Sequence, residues 1–308
     1  MPINMKNDNK IIFFGTSEFA VPALKALINE GYDVVLVITQ PDKPAGRKQV
    51  LTPTPVKIEA QKQNLEIWEG LKNLKLKIES LKPALGIVAA YGKIIPKKIL
   101  DIPPKGCLNI HPSLLPKYRG ASPIQTAILN GDKITGISII KLDGQMDHGP
   151  IISKSQISIF NNDTSESLHH KLSVEGAALL VKTLPDYISD KITPVIQDDS
   201  KSTCTKILKR EDGKIDWDKS AIEVGRQTRA YYPWPGSFAE VKIKNSKLKI
   251  KILSVKVNYD IGVEIGQLQN NAGHLIVQCG KGSLIIEKLQ PEGKKEMSSK
   301  EFINGYMR

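Results

Sequence analysis

Three residues have types and spacing that suit work on a single acyl carbon: Asn109, His111 and Asp147. Asn109 and His111 lie two apart in the segment CLNIH. Side chains of an extended strand alternate between its faces, so these two project from the same face roughly 7 Å apart. The amide NH₂ of Asn109 can donate to an oxygen that gains charge in an acyl-transfer intermediate, without itself titrating. Histidine is the side chain that changes charge near neutrality, so His111 can move a proton from an attacking amine or, as imidazolium, stabilise the same oxygen. Asp147 follows the apolar run ISIIKL in the loop GQMDHG, where its carboxylate can orient His111 and favour the charged ring. Each residue also has a plainer reading, because a histidine after a strand is often a hydrogen-bonded structural group and turns favour asparagine for its backbone habits. The chemistry therefore has to be judged against the elements that would hold the three in place.

Those elements follow a strand–helix–strand rhythm. The runs IIFF, VVLVIT at 34–39, LGIVAA at 85–90, LNI and ISII are short, apolar and bounded by Gly or Pro, as expected of strands buried on both faces of a parallel sheet. A first crossover helix is expected over 18–30, with Ser17 as N-cap and Gly31 as its stop. Leu71, Leu74, Ile78 and Leu81 have helical spacing ahead of LGIVAA, and Asp163 or Thr164 can cap a helix reaching Tyr187 that buries Leu168, Leu172 and Leu179. Asn109 and His111 then sit where a buried strand runs into a Pro-rich loop, at the carboxyl edge of the sheet where open α/β folds bind ligands.

From 190 to 206 the chain is polar with little periodicity, which reads as a linker. Beyond it, VKIKNSKLKIKILSVKV, HLIVQC and SLIIEKL alternate like antiparallel strands between Gly and Asn turns. The expected fold is thus α/β: a Rossmann-like parallel-sheet N-terminal domain over 1–190, a linker over 191–206, and a smaller open β-barrel of oligonucleotide-binding type over 207–308. A chain of 308 residues suits two such domains.

Composition narrows the function classes. With 40% hydrophobic and 25% charged residues the chain has material for packed cores. No apolar stretch approaches a membrane span and the start MPINMKNDNK has no apolar signal core, so a soluble cytoplasmic protein is expected. Cys107, Cys204 and Cys279 are too few and too scattered for a disulfide framework or a metal knuckle. His148 and the pair His169–His170 match no ligand spacing, and no metal is expected. Ser113 lacks a G-x-S-x-G elbow, and IIFFGTSEFAVP holds one glycine where a dinucleotide fingerprint needs three. The net charge is +12, of which residues 206–308 carry +7 from 19 Lys and Arg against 12 Asp and Glu. A basic barrel suits a polyanionic partner, and it equally suits outward-facing lysines on an inert appendage.

LNIHPSLLPKYRG and LDGQMDHG resemble the core pattern of the folate-dependent formyltransferases, over nearly the whole chain. The resemblance implies that Asn109, His111 and Asp147 are catalytic and that 10-formyltetrahydrofolate is the formyl donor. It places the folate around Ser113, Leu114, Leu115 and Pro116 and around Ala90, Tyr91 and Gly92. Within the family, TQPDKPAGRKQVLTPTPVK at 39–57, YYPWPGSF at 231–238 and LQPEGKKEMSSKEFING at 289–305 are similar to segments of the branch acting on initiator methionyl-tRNA. Lys43, Arg47 and Lys48 would then meet tRNA phosphates and the barrel would hold the tRNA by its basic face; with the tRNA as the evident large partner, a monomer is expected. The sequence departs from the usual pattern at Pro112, His148 and Pro150; His148 stands beside Asp147, placed to compete for its hydrogen bonds. Two other readings stay open on these residues: a formyltransferase for an amino sugar or nucleotide, and a non-enzymatic RNA-binding protein that kept the fold.

Overall fold

The structure is a computed structural model that describes residues 10–46, 48–243, 246–259 and 264–307. In chain order its main elements are β1 (Ile11–Gly15), α1 (Val21–Asn29), β2 (Val34–Thr39), α2 (Pro55–Lys62), β3 (Ile67–Glu69), α3 (Leu74–Leu81), β4 (Leu85–Ala89), α4 (Lys97–Leu100), β5 (Cys107–His111), α5 (Pro123–Asn130), β6 (Ile134–Lys141) and β7 (Ile151–Ser158). They continue with α6 (Ser165–Ile188), α7 (Ala221–Ala230), β8 (Ser237–Ile243), β9 (Ser246–Asn258), β10 (Leu268–Asn271), β11 (His274–Gln278) and β12 (Ser283–Pro291). Two compact units result: one from residues up to Gly120 with Ile134–Ser158 and His169–Cys204, the other from Ala121–Lys133, Ile159–Leu168 and the residues from Thr205 onward.

The first unit is built on a seven-stranded sheet in the order β7-β6-β5-β4-β1-β2-β3. Strands β3 to β5 of that order run parallel, and β6 and β7 are added antiparallel. Every residue of β1 and β4 is buried, which is why these segments read as unbroken apolar runs. Where β4 meets β5 the packing is close enough that a β-carbon on Gly86 would fall 2.4 Å from Cys107 Sγ.

Local differences from the sequence reading have physical causes. The first helix starts late: Glu18–Ala20 form a tight 3₁₀ turn, the α-helix begins at Val21, and Ser17 makes no capping bond. Pro22 lacks an N–H and so belongs in a first turn rather than an interior. Gly31, with φ +76°, provides the stop. Thr164 Oγ1 caps α6 by accepting from Ser167 N at 3.2 Å. Leu168, Leu172 and Leu180 are buried along α6, while Leu179 is only half-buried.

The stretch read as a linker is, as far as Cys204, folded into the first unit. Val195 exchanges backbone hydrogen bonds with Ile151 at 2.7 and 2.8 Å, and Gln197 is buried. Most of its side chains face solvent, and the buried Gln197 is the one that turns its polarity inward.

The second unit is a curled antiparallel sheet, β8-β9-β12-β11-β10, with Met297–Ser298 beside β12. Irregular register between Ile252 and Val255 on β9 bends the ladder. Val224, Ile250, Leu275, Leu284 and Phe302 pack its core. On β9, buried Ile250 and Ile252 alternate with Lys249 and Lys251, and Lys249 Nζ lies 4.6 Å above the Phe238 ring. Among the described residues no helix is long and apolar enough to cross a membrane.

Candidate active site

Asn109 and His111 emerge at the end of β5, held on both sides: Asn109 is opposite Val88 of β4 and Ile140 of β6, and His111 is opposite Ser138. The chain then turns sharply. Ser138 Oγ donates to the Ser113 carbonyl at 2.7 Å and accepts from Leu115 N at 3.0 Å, while Ser113 Oγ donates to the Lys117 carbonyl at 2.6 Å. Lys154 Nζ donates to the Leu115 carbonyl, and burial holds this ammonium below the usual lysine range. The Leu115–Pro116 peptide is cis.

This turn delivers the Tyr118 carbonyl to His111 Nε2 at 2.9 Å. A carbonyl oxygen only accepts, so Nε2 carries a hydrogen. The other ring nitrogen, Nδ1, faces Asp147 Oδ1 at 3.4 Å. Both nitrogens thus face acceptors, an arrangement that the imidazolium satisfies in full. Asp147 Oδ1 also accepts from Asn109 Nδ2 at 3.4 Å, and Oδ2 accepts from Gly120 N at 2.8 Å. One carboxylate oxygen therefore gathers both strand residues, and the Asn109 amide has a second N–H that can act as a donor.

The loop carrying Asp147 is shaped by its backbone. Asp147 itself is left-handed, with φ +50°, a conformation that a non-glycine residue keeps only where its surroundings fix it. Gly149 must be glycine, because a β-carbon there would lie 1.8 Å from the Lys141 carbonyl oxygen. His148 points away from Asp147: its Nδ1 is 2.6 Å from Asp143 Oδ2 and its Nε2 is 3.5 Å from Asp199 Oδ2. The hydrogen bond to Asp143 raises the His148 pKa. Burial acts to raise Asp143, but the bonds from His148 and from Gln145 N–H outweigh it and the carboxyl lies below its usual range.

The remaining expected contacts divide by burial. Ser113 and Leu115 are fully buried as parts of the turn, while Leu114 and Pro116 are half-exposed. After β4, Ala90 and Gly92 are exposed with φ +42° and +80°. Between them Tyr91 is buried edge-on against Phe14, and burial pushes its hydroxyl up to about 12. Lys43 and Lys48 are exposed on and beside a hairpin that pairs Lys43–Ala45 with Val50–Thr52, whose Val50 and Leu51 also face solvent. Arg47 lies outside the described residues. Burial also pushes the Cys107 thiol up to about 12, which removes it as a nucleophile. His169 packs on the Phe19 ring at 5.2 Å, and among the described residues no three His, Cys, Asp or Glu are grouped to hold a metal.

Residues 9–184 match the family model of formyl transferase, and residues 207–307 match that of the formyl transferase C-terminal domain. The chain is 45% identical to the methionyl-tRNA formyltransferase of Thermodesulfovibrio yellowstonii, covering 96% of this chain and 95% of that one. It is 42% identical to that of Bacillus velezensis, covering 96% and 94%. The chain belongs to the methionyl-tRNA formyltransferase family. The fold also matches WlaRD, a sugar 3N-formyl transferase solved with dTDP and 5-N-formyl-THF, at a TM-score of 0.67 and 23% identity, covering 93% of this chain and 99% of that one. Within this family's site, the sequence reading missed the Tyr118 carbonyl and the buried Gln197, which supports the Asp147 loop. The Tyr118 carbonyl lay within the quoted motif LNIHPSLLPKYRG, whereas nothing in the sequence pointed to Gln197.

Proposed function

We propose that the protein transfers the formyl group of 10-formyltetrahydrofolate to the α-amino group of methionyl-initiator tRNA. The observation that carries this reading is the convergence of Asn109 and His111 on one carboxylate oxygen of Asp147, at 3.4 Å each, in a chain that belongs to this family. The amine attacks the formyl carbon, and the oxygen gains charge against the Asn109 amide and the His111 cation while Asp147 holds both in place. The C–N bond to the folate then breaks, and the proton lost by the attacking amine ends on the folate nitrogen.

The exposed backbone of Ala90 and Gly92 with the half-exposed Leu114 and Pro116 offers the donor apolar surface and main-chain polar groups, with Ser113, Leu115 and Tyr91 supporting from behind. Lys43 and Lys48, with Arg47, supply cations for tRNA phosphates. The first unit, with the stretch up to Cys204 folded into it, carries the transfer chemistry, and the basic sheet of 207–308 holds the RNA, with one cytoplasmic monomer engaging one tRNA. The test is to incubate the protein with 10-formyltetrahydrofolate and, separately, methionyl-initiator tRNA, free methionine and small amino sugars. Formylated methionyl-tRNA alone is the expected product; a formylated sugar in its place overturns the acceptor, and no product overturns the reaction.

A further inference from the structure

We propose that Gln197 and Arg119 are positioning residues for formyl transfer, acting through the backbone of Asp147. This rests on the formyl-transfer reading of the site. Gln197 is 7% exposed and Arg119 8% exposed, a depth at which polar groups need fixed partners. Gln197 Nε2 donates to the Asp147 carbonyl and to the Gly149 carbonyl, both at 2.8 Å, so one amide holds the loop directly after the left-handed Asp147. Its own oxygen accepts from Arg119 Nε at 3.1 Å and Nη2 at 2.9 Å, which fixes which end of the amide faces the loop. Arg119 Nη2 also reaches Asp199 Oδ1 at 2.8 Å.

Arg119 lies between the two other groups that define the site. Its neighbour Tyr118 presents the carbonyl bound by His111 Nε2, and its neighbour Gly120 presents the N–H bound by Asp147 Oδ2. Securing the Arg119 side chain to Gln197 thus ties the backbone that orients His111 to the loop that carries Asp147. The left-handed Asp147 conformation needs external support to persist. Gln197 supplies it at the peptide, and Gly120 at the carboxylate.

The isosteric Gln197→Glu tests this. Glutamate keeps the one oxygen that accepts both Arg119 bonds but turns its other carboxylate oxygen toward the Asp147 and Gly149 carbonyls, repelling the loop. A displacement near 1 Å costs on the order of 10²-fold in rate. Gln197→Glu should therefore lower kcat 10- to 100-fold with KM for formyl-folate and for methionyl-tRNA within about threefold, and should move the His111 imidazole resonances of the protein labelled with ¹⁵N-histidine. Arg119→Lys, which loses the two-pronged grip on Gln197, should move the same resonances and lower kcat less. Wild-type kcat in Gln197→Glu, or a rate loss with unmoved His111 resonances, would overturn the proposal. If Gln197→Glu does not fold, Arg119→Lys decides by the same two readouts. Absence of transfer by the wild-type protein would overturn the reading of function, while the resonance shifts would still report on the positioning.

Discussion

Replacing Asp147 with Asn keeps the size of the side chain and removes its charge. At 3.4 Å, two unit charges on His111 and Asp147 attract by about 1 kcal/mol in a water-like medium and about 5 kcal/mol at an effective dielectric of roughly 20. The His111 side chain is 4% exposed and that of Asp147 14%, so the upper part of this range applies. The amide of the variant also cannot satisfy the site. Placed at the Oδ2 position its NH₂ opposes the Gly120 N–H, and placed at Oδ1 it opposes Asn109 Nδ2 and His111. Since each 1.36 kcal/mol is tenfold in rate, the chemical step should slow by on the order of 10² to 10³. Rapid-quench single-turnover formylation at saturating donor and methionyl-tRNA isolates that step, and thermal unfolding checks that the variant is folded. A folded Asp147→Asn protein retaining more than about a third of the wild-type rate constant, a loss under 1 kcal/mol, would refute the charge coupling.

Removing cations from the 43–52 hairpin by Lys43→Ala and Lys48→Ala should lower kcat/KM for methionyl-tRNA and reduce its salt dependence by about one unit of slope per phosphate contact, while KM for the folate stays fixed. An equal loss toward the folate would sink the assignment. His148→Ala should destabilise the protein in a defined pH window. His148 is raised, so its contribution is full below its ordinary value and is lost as pH rises through the raised one. Asp143 is lowered, so its contribution persists in acid until pH falls through the depressed value. The difference in Tm between His148→Ala and wild type should be largest near pH 5 to 6 and vanish in strong alkali; a constant difference across pH would contradict this. Gly86→Ala should cost about 1 to 3 kcal/mol in urea unfolding by overpacking against Cys107. Adding Cys107→Ala should recover part of that loss, because the Sγ contact at 2.4 Å disappears while the Cβ contact at 3.3 Å remains.

Asn109 and His111 were legible in the sequence because a spacing of two on a strand fixes which way both side chains point. The parallel sheet was legible for a similar reason, as β1 and β4 are buried on both faces and show it as unbroken apolar runs. What escaped sequence reading depends on main-chain atoms. The Tyr118 carbonyl that binds His111 and the Gly120 N–H that binds Asp147 have no side-chain signature, so their roles exist only once the turn from 112 to 120 has closed. Gln197 was hidden for a different reason. Polarity without periodicity usually marks solvent-exposed chain, and only burial beside Asp147 and Gly149 distinguishes an amide that completes a core.

His148 shows how adjacent residues can serve separate tasks. A regular strand or helix would fix the directions of residues 147 and 148 by its period, whereas the left-handed Asp147 turns its own carboxylate to Asn109 and His111 and lets the following ring face Asp143 and Asp199. The competition for Asp147 that the sequence suggested therefore does not arise. Titration of His148 acts first on the loop's ion pairs with Asp143 and Asp199, and Asp199 shares Arg119 with Gln197. A histidine in this position can thus add charge to the neighbourhood while the two oxygens of Asp147 remain committed, one to Gly120 and one to the pair on β5.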